Sequence, residues 1–188
     1  TPFRISFVGG GTDIREFYQE HNGAVISTSI DKYLYIFLHS YFSEKTQVKY
    51  SRTELVDNFE DIEHPIVREL LKKFNINGID INSIADIPSG TGLGSSSSFT
   101  VGLANALYAY TNKFASSAQL AKDASQLEID VLKEPIGKQD QYAAAYGGFN
   151  IIRFYNNEHV DVQPVIADQG TLDKLQDNLV IFFLGKRR

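Results

Sequence analysis

Ile87-Pro88-Ser89-Gly90-Thr91-Gly92-Leu93-Gly94-Ser95-Ser96-Ser97-Ser98 is the stretch that decides the fold of this chain. Glycines at every second position run into four serines. An apolar, alanine-bearing run follows: Phe99, Val101, Leu103, Ala104, Ala106 and Leu107. This pattern predicts a flexible loop that feeds a buried helix with hydroxyls at its first turn. A helix N-terminus presents unpaired N–H groups and the positive end of the helix dipole, so it holds phosphate well. Glycine lets the backbone approach a ligand where a Cβ would block it. A serine in that place can cap the helix or reach a metal ion riding on the phosphates. The loop is not a Walker A element, because no Gly-Lys-Ser/Thr follows the glycines. Its glycine spacing also differs from that of a dinucleotide fingerprint.

Upstream of the loop, Gly78 to Ile84 reads as the strand that delivers it. His64 to Phe74 reads as an amphipathic helix with Ile66, Val67, Leu70, Leu71 and Phe74 on one side. Nearer the start, Phe3 to Val8 alternates like a strand, and Gly9-Gly10-Gly11-Thr12-Asp13 is a tight turn before a short helix over Ile14 to Glu20. Ala24 to Ile30 and Leu34 to Ser40 are strand-like runs that Asp31-Lys32-Tyr33 would join as a hairpin. Thr46 to Tyr50 adds a further strand. Downstream, helices are expected over Ser95 to Tyr110 and Ser116 to Leu132, the latter opened by a Ser116…Gln119 capping box. Glu134-Pro135-Ile136-Gly137 breaks the chain before a short helix over Lys138 to Tyr146, stopped by Gly147-Gly148. Strands at Phe149 to Phe154 and His159 to Val165, a polar helix near Thr171 to Gln176 and a last apolar strand from Leu179 to Leu184 complete the reading. Strands at both ends and helices between them predict an α+β fold.

The composition sets the class. The 188 residues are 43% hydrophobic and 22% charged, with a net charge of −5 and no cysteine. These are the values of an ordinary globular protein. The acidic balance argues against nucleic acid as a partner. No apolar run reaches membrane-spanning length, and no secretory signal or disulfide framework is visible, which together fit a cytoplasmic location. An apolar strand so close to the last residue needs a partner, so the chain reads as the N-terminal portion of a larger fold.

Two other constellations carry chemistry. Asp140 follows the Pro/Gly break, beside Lys138 and ahead of the small residues Ala143, Ala144 and Ala145. Glu128 lies upstream on the preceding helix, where the two carboxylates can converge on one pocket. Arg4 interrupts an apolar alternation just before the Gly9-Gly10-Gly11-Thr12-Asp13 turn. The histidines at 21, 39, 64 and 159 make no metal-ligand pattern. Tyr33, Tyr35 and Phe37 at period two read as one sheet face. Lys186-Arg187-Arg188 reads as a solvated charge run.

The glycine-serine loop resembles the second motif of the GHMP kinase superfamily, which includes galactokinase, homoserine kinase and mevalonate kinase. Gly137-Lys138-Gln139-Asp140-Gln141 is similar to the family's catalytic-aspartate element. Arg4 and Asp13 fall on the arginine and aspartate of the N-terminal galactokinase motif, while Gly10-Gly11 replaces its Glu-His pair. Taken together these segments resemble the bacterial D-glycero-D-manno-heptose 7-phosphate kinases. The family's third motif, a glycine-rich segment of the C-terminal half, is not in the chain.

The resemblance implies a GHMP kinase N-terminal domain, of the kind seen in domain 2 of ribosomal protein S5, over residues 1–170, with residues 171–188 beginning a C-terminal domain. It implies an ATP-dependent sugar kinase that phosphorylates the anomeric hydroxyl of a heptose 7-phosphate. ATP would lie on Pro88, Gly90, Gly92, Leu93, Gly94, Ser95, Ser96 and Ser97. Mg²⁺ would be held by Ser96 and Glu128. Asp140 would take the acceptor proton, and Arg4 would keep that carboxylate ionised. The sugar would meet Gly10, Gly11, Thr12, Asp13, Gly137, Lys138 and Gln139. Another GHMP acceptor, or a silent nucleotide-binding regulator, stands as the alternative.

Overall fold

The computed structural model describes residues 1–182. Strand β1 (Pro2–Val8) leads through the glycine turn to helix α1 (Arg15–His21), and β2 (Gly23–Ser40) follows. After β3 (Thr46–Lys49) and β4 (Thr53–Val56), a single 3₁₀ turn (Phe59–Asp61) enters α2 (Pro65–Phe74), and β5 (Ile79–Ala85) runs into the glycine-serine loop. Helices α3 (Ser95–Tyr110), α4 (Ser117–Ser125) and α5 (Gln139–Tyr146) form the middle. Strands β6 (Phe149–Phe154) and β7 (Val160–Pro164) and helix α6 (Gln169–Asp177) end the described fold. The seven strands form one mixed sheet in the order β4-β3-β5-β2-β6-β7, with β1 also paired to β2. Every pairing is antiparallel except β3 with β5. The α+β reading therefore holds.

The predicted hairpin at Asp31-Lys32-Tyr33 does not form. The 18 residues of β2 are one continuous strand. It pairs with β6 over Gly23–Thr28, with β1 up to Tyr33, and with β5 over Leu34–Ser40. Residues 31–33 hold no glycine, asparagine or proline to supply a reversed backbone. Tyr33 instead donates its N–H to Asp86 Oδ2 at 2.8 Å and accepts from Asp86 N at 3.0 Å, so the extended chain is carried across the change of partner. The stripe Tyr33, Tyr35 and Phe37 is a solvent-facing side of this strand.

The helix read over Ser116 to Leu132 divides. Beyond α4 the chain widens into a π-helical segment over Gln126–Val131, closed by Leu132 N–H donating to Leu127 O at 2.9 Å. Such widenings are frequent at functional sites, and this one carries Glu128. The capping box is made in one direction only: Ser116 Oγ accepts from Gln119 N at 3.2 Å, while the Gln119 amide turns to Asp123 Oδ1 at 2.9 Å. The expected last strand is absent over 179–182, and its remainder and Lys186-Arg187-Arg188 lie outside the described residues.

The main core joins α2 and α3 to the sheet, with Phe3, Val67, Leu71, Ile79, Ile81, Leu103 and Leu107 all buried. Full burial of such side chains contributes roughly 1.5–3 kcal/mol each. A smaller cluster of Tyr18, Val25, Ala121, Tyr142, Ala143, Ile152 and Phe154 lies around α1 and α5. Helix α5 serves both, giving Ala144 to the first and Tyr142 and Ala143 to the second.

Candidate active site

The glycines of the loop have a conformational reason. Gly90, Gly92 and Gly94 have φ of 79°, 74° and 78°, the left-handed region that residues with a Cβ avoid. Gly94 is the N-cap of α3, and no side chain caps the helix. The serines that follow do not cap as the sequence allowed. Ser96 and Ser97 donate to Glu128 and Ser98 donates to Pro2 O, because these hydroxyls face acceptors on neighbouring elements. The first-turn N–H groups of α3 are thus left without a side-chain cap, as an anion site requires.

A cavity of about 690 Å³ opens beside this helix start. Pro88, Gly90, Ser95 and Ser96 line one side, and Tyr50, His64 and Phe99 line another. The His64 ring stands 4.8 Å from the Tyr50 ring and 5.0 Å from the Phe99 ring, centre to centre. Burial pushes the His64 pKa down, so the imidazole is neutral at neutral pH. The sequence reading missed this aromatic wall. Its members come from the residue after β3, the N-cap of α2 and the second turn of α3, and no single period joins them. Gly92, Leu93, Gly94 and Ser97 lie outside the cavity lining. Leu93 O accepts from Arg4 N at 3.2 Å, and Ser97 is buried with its hydroxyl 2.7 Å from Glu128 Oε2.

Arg4 and Asp140, which are 136 positions apart, meet at the end of the loop. Arg4 Nε donates to Asp140 Oδ1 at 2.7 Å and Nη2 stands 2.6 Å from the same oxygen, while Nη1 donates to Gly92 O at 2.9 Å. A Cβ on Gly94 would lie 3.4 Å from Asp140 Oδ2 and 3.4 Å from Arg4 Cγ. One guanidinium therefore ties β1, the glycine loop and α5 together. The pKa of Asp140 is raised. Burial is the main cause, the Asp13 charge adds to it, and Arg4 opposes both without prevailing. Arg4 thus favours the ionised form, as expected of it, while burial works against it.

Glu128 is fully buried. It accepts from Ser97 Oγ at 2.7 Å, Thr100 Oγ1 at 2.6 Å and Ser96 Oγ at 3.2 Å, and from the Gln141 amide. These bonds knot the π-helical segment to α3 and α5. Ser96, at the cavity edge, is the exposed member of the group.

The glycine turn is built from within. Thr12 Oγ1 donates to Gly9 O at 2.7 Å and accepts from Ala24 N at 3.0 Å. Asp13 is buried. Its carboxylate accepts from Gly11 N at 3.1 Å, Gln139 N at 3.0 Å and Gln139 Nε2 at 3.3 Å. Gly137 is required there, since a Cβ would fall 2.0 Å from Asp13 Oδ2. Around Gly10 and Gly11 a Cβ would meet nothing within 4 Å. The Lys138 side chain does not join this group. Its ammonium pairs with Glu158 and lies 4.7 Å over the Tyr18 ring, in a separate cleft that also holds Arg15, Tyr142 and Tyr146.

Residues 61–148 match the family described as GHMP kinases N terminal domain. The whole chain aligns at 31% identity with a D-glycero-alpha-D-manno-heptose 7-phosphate kinase of Campylobacter jejuni serotype O:2, covering 59% of that protein. A galactokinase of Thermosipho africanus is 24% identical over 87% of the chain and 47% of the relative. Among solved structures, a putative sugar kinase from Campylobacter jejuni superposes with a TM-score of 0.78 at 30% identity, over 94% of the chain and 58% of that structure. A D-glycero-D-manno-heptose 1-phosphate kinase from Bacteroides thetaiotaomicron gives 0.85 at 24% identity, over 93% of the chain and 61% of that structure, which speaks for the fold. The chain thus spans about three fifths of the heptose kinase it matches. With the uncapped glycine-loop helix at their centre, residues 61–148 form a GHMP kinase N-terminal domain.

Proposed function

We propose that this chain is the nucleotide-binding and acceptor-activating part of a sugar kinase. It transfers the γ-phosphoryl group of ATP to the anomeric hydroxyl of a heptose 7-phosphate. The observation that carries this reading is the Arg4–Asp140 pair set against Gly94, where a half-buried carboxylate meets the end of an uncapped phosphate-type loop. The likeness to the Campylobacter heptose 7-phosphate kinase supports the acceptor. The open space at Gly10 and Gly11, where galactokinases carry larger side chains, supports an acceptor other than galactose.

In this reading the N–H groups of Gly94, Ser95 and Ser96 meet the phosphates, and the Tyr50–His64–Phe99 wall takes the base side of ATP. Asp140 accepts the proton as the sugar oxygen bonds to the γ-phosphorus. The bond from that phosphorus to the β–γ bridging oxygen breaks, and ADP departs. Arg4 holds Asp140 toward the acceptor and offsets charge on the transferring group. Asp13, through Gln139, sets the turn and the start of α5 as the floor of the sugar site.

The donor set fits Mg²⁺. Ser96 Oγ and Glu128 Oε1 are hard oxygens 3.2 Å apart, a separation two ligands of one small cation can adopt. Held by Ser96 and Glu128, the ion would supply positive charge against the phosphates of ATP. Residues 1–170 would form the ATP-binding domain, and residues 171–188 would start the second domain. No helix among the described residues is long and apolar enough to cross a membrane. A small-molecule sugar phosphate handled in the cytoplasm, with no nucleic-acid partner, completes the proposal. ADP release by the full-length protein, compared across heptose 7-phosphate, heptose and galactose, tests it. A far higher kcat/KM for the phosphorylated heptose, with phosphate added at the anomeric carbon, is expected. Equal rates on unphosphorylated hexoses would defeat the heptose assignment.

A further inference from the structure

We infer that Glu158, in the turn between β6 and β7, is a positioning residue that acts through Lys138 to fix where α5 begins, and therefore where Asp140 stands. The inference rests on the reading of Asp140 as the proton acceptor. Glu158 gathers donors from two elements. Its carboxylate accepts from Tyr18 Oη at 2.9 Å and Gln19 Nε2 at 3.3 Å on α1, and from Lys138 Nζ at the entry to α5; Arg15 Nε stands 3.4 Å away. Burial pushes the Glu158 pKa up, but the hydrogen bonds from Lys138 and Tyr18 prevail and hold it below the ordinary carboxylate range. The Glu158 backbone has φ of 67°, a conformation that disfavours a residue with a Cβ and persists where the surroundings enforce it.

The link to Asp140 is short. Lys138 is the N-cap of α5, and its side chain is buried against Tyr18. Its own N–H donates to Asp13 O at 3.3 Å, and the next N–H, of Gln139, donates to Asp13 Oδ2 at 3.0 Å. The first turn of α5 is thus gripped from two sides, by Asp13 on the glycine turn and by Glu158 through the lysine. Asp140 follows Lys138 by two positions, so slack at the lysine is slack at the proton acceptor. A displacement near 1 Å at such a group costs up to about a hundredfold in rate.

The test uses the full-length protein, with ATP and the preferred sugar, and the variants Glu158→Gln and Lys138→Met. Each is expected to lower kcat about tenfold while KM for ATP stays within about twofold. Because the two residues act as one pair, the double variant should be no worse than the poorer single one. Folded variants with unchanged kcat, multiplicative losses in the double variant, or a parallel loss of ATP affinity would each overturn the proposal. If Glu158→Gln fails to fold, Glu158→Asp is read in its place. It keeps the charge but shortens the reach, and unchanged kcat in it overturns the proposal equally. Asp140→Asn is the control. Wild-type turnover there sinks the proton-acceptor reading itself. An inactive Asp140→Asn beside fully active Glu158 and Lys138 variants sinks only the positioning role.

Discussion

Asp140 combines two properties that usually oppose each other: a guanidinium partner at 2.6 Å and a pKa that is nonetheless raised. Because its folded pKa lies above the unfolded one, the ionised carboxylate costs stability at neutral pH. That cost is relieved as pH falls through the raised value. Asp140→Asn is therefore expected to lower turnover at least a hundredfold, the usual scale for removing a positioned acid or base. It should unfold at pH 7 no earlier than the parent in a thermal scan. The acid limb of the wild-type kcat profile should lie above the ordinary carboxylate range. Glu158 has the opposite sign. Its depressed pKa adds stability above its ordinary value of 4.5, and that stability is lost as pH falls through the folded value. In an unfolding titration, Glu158→Gln should therefore flatten the acid side of the curve. A steric contrast belongs to this scale too. Gly137→Ala puts a Cβ 2.0 Å from Asp13 Oδ2, whereas Gly10→Ala meets open space. Urea unfolding should show a loss of about 3 kcal/mol or more for the first, the upper end for overpacking, and well under 1 kcal/mol for the second.

Helix α3 and the π-helical segment show how far a sequence can be read at the scale of the element. The loop-to-helix junction was legible because glycine spacing and an apolar run report on backbone and burial. The destinations of the serine hydroxyls were not, since Glu128 reaches Ser96 and Ser97 across 32 and 31 positions. The widening at Gln126–Val131, which carries the buried Glu128, leaves no mark in composition. Asp31-Lys32-Tyr33 was misread because two strand-like runs with a polar interval look the same whether the chain turns or changes partner. The candidate site followed a similar division. Arg4, Asp140, Asp13 and the loop were singled out by position and by resemblance to the GHMP kinases, whereas Tyr50, His64 and Phe99 converge only in space. Two substitutions separate the roles within the Glu128 knot. Ser96→Ala removes the exposed member, so it should leave the melting temperature nearly unchanged and raise the Mg²⁺ concentration needed for half-maximal activity. Glu128→Gln turns an amide N–H₂ onto the hydroxyls and amide of its donors, and should cost about 1–3 kcal/mol by calorimetry.

For the molecule as a whole, the two hydrophobic clusters are bridged by one strand. Strand β2 joins them: its first third is paired to β6 within the smaller cluster, and its last third is paired to β5, the strand that delivers the glycine loop. Thr12 and Ala24 bond near one end of that strand, and Asp86 and Tyr33 bond past its middle. The pairing makes β2 a common spine for both substrate sides. Amide hydrogen exchange should accordingly give one shared opening free energy along 23–40, and a proline at Lys32 should release both ends together rather than one. Under the proposed function, the seats of the phosphate donor and of the phosphate acceptor then have no independent lifetime. Wear on either is felt by the other through a single uninterrupted run of backbone.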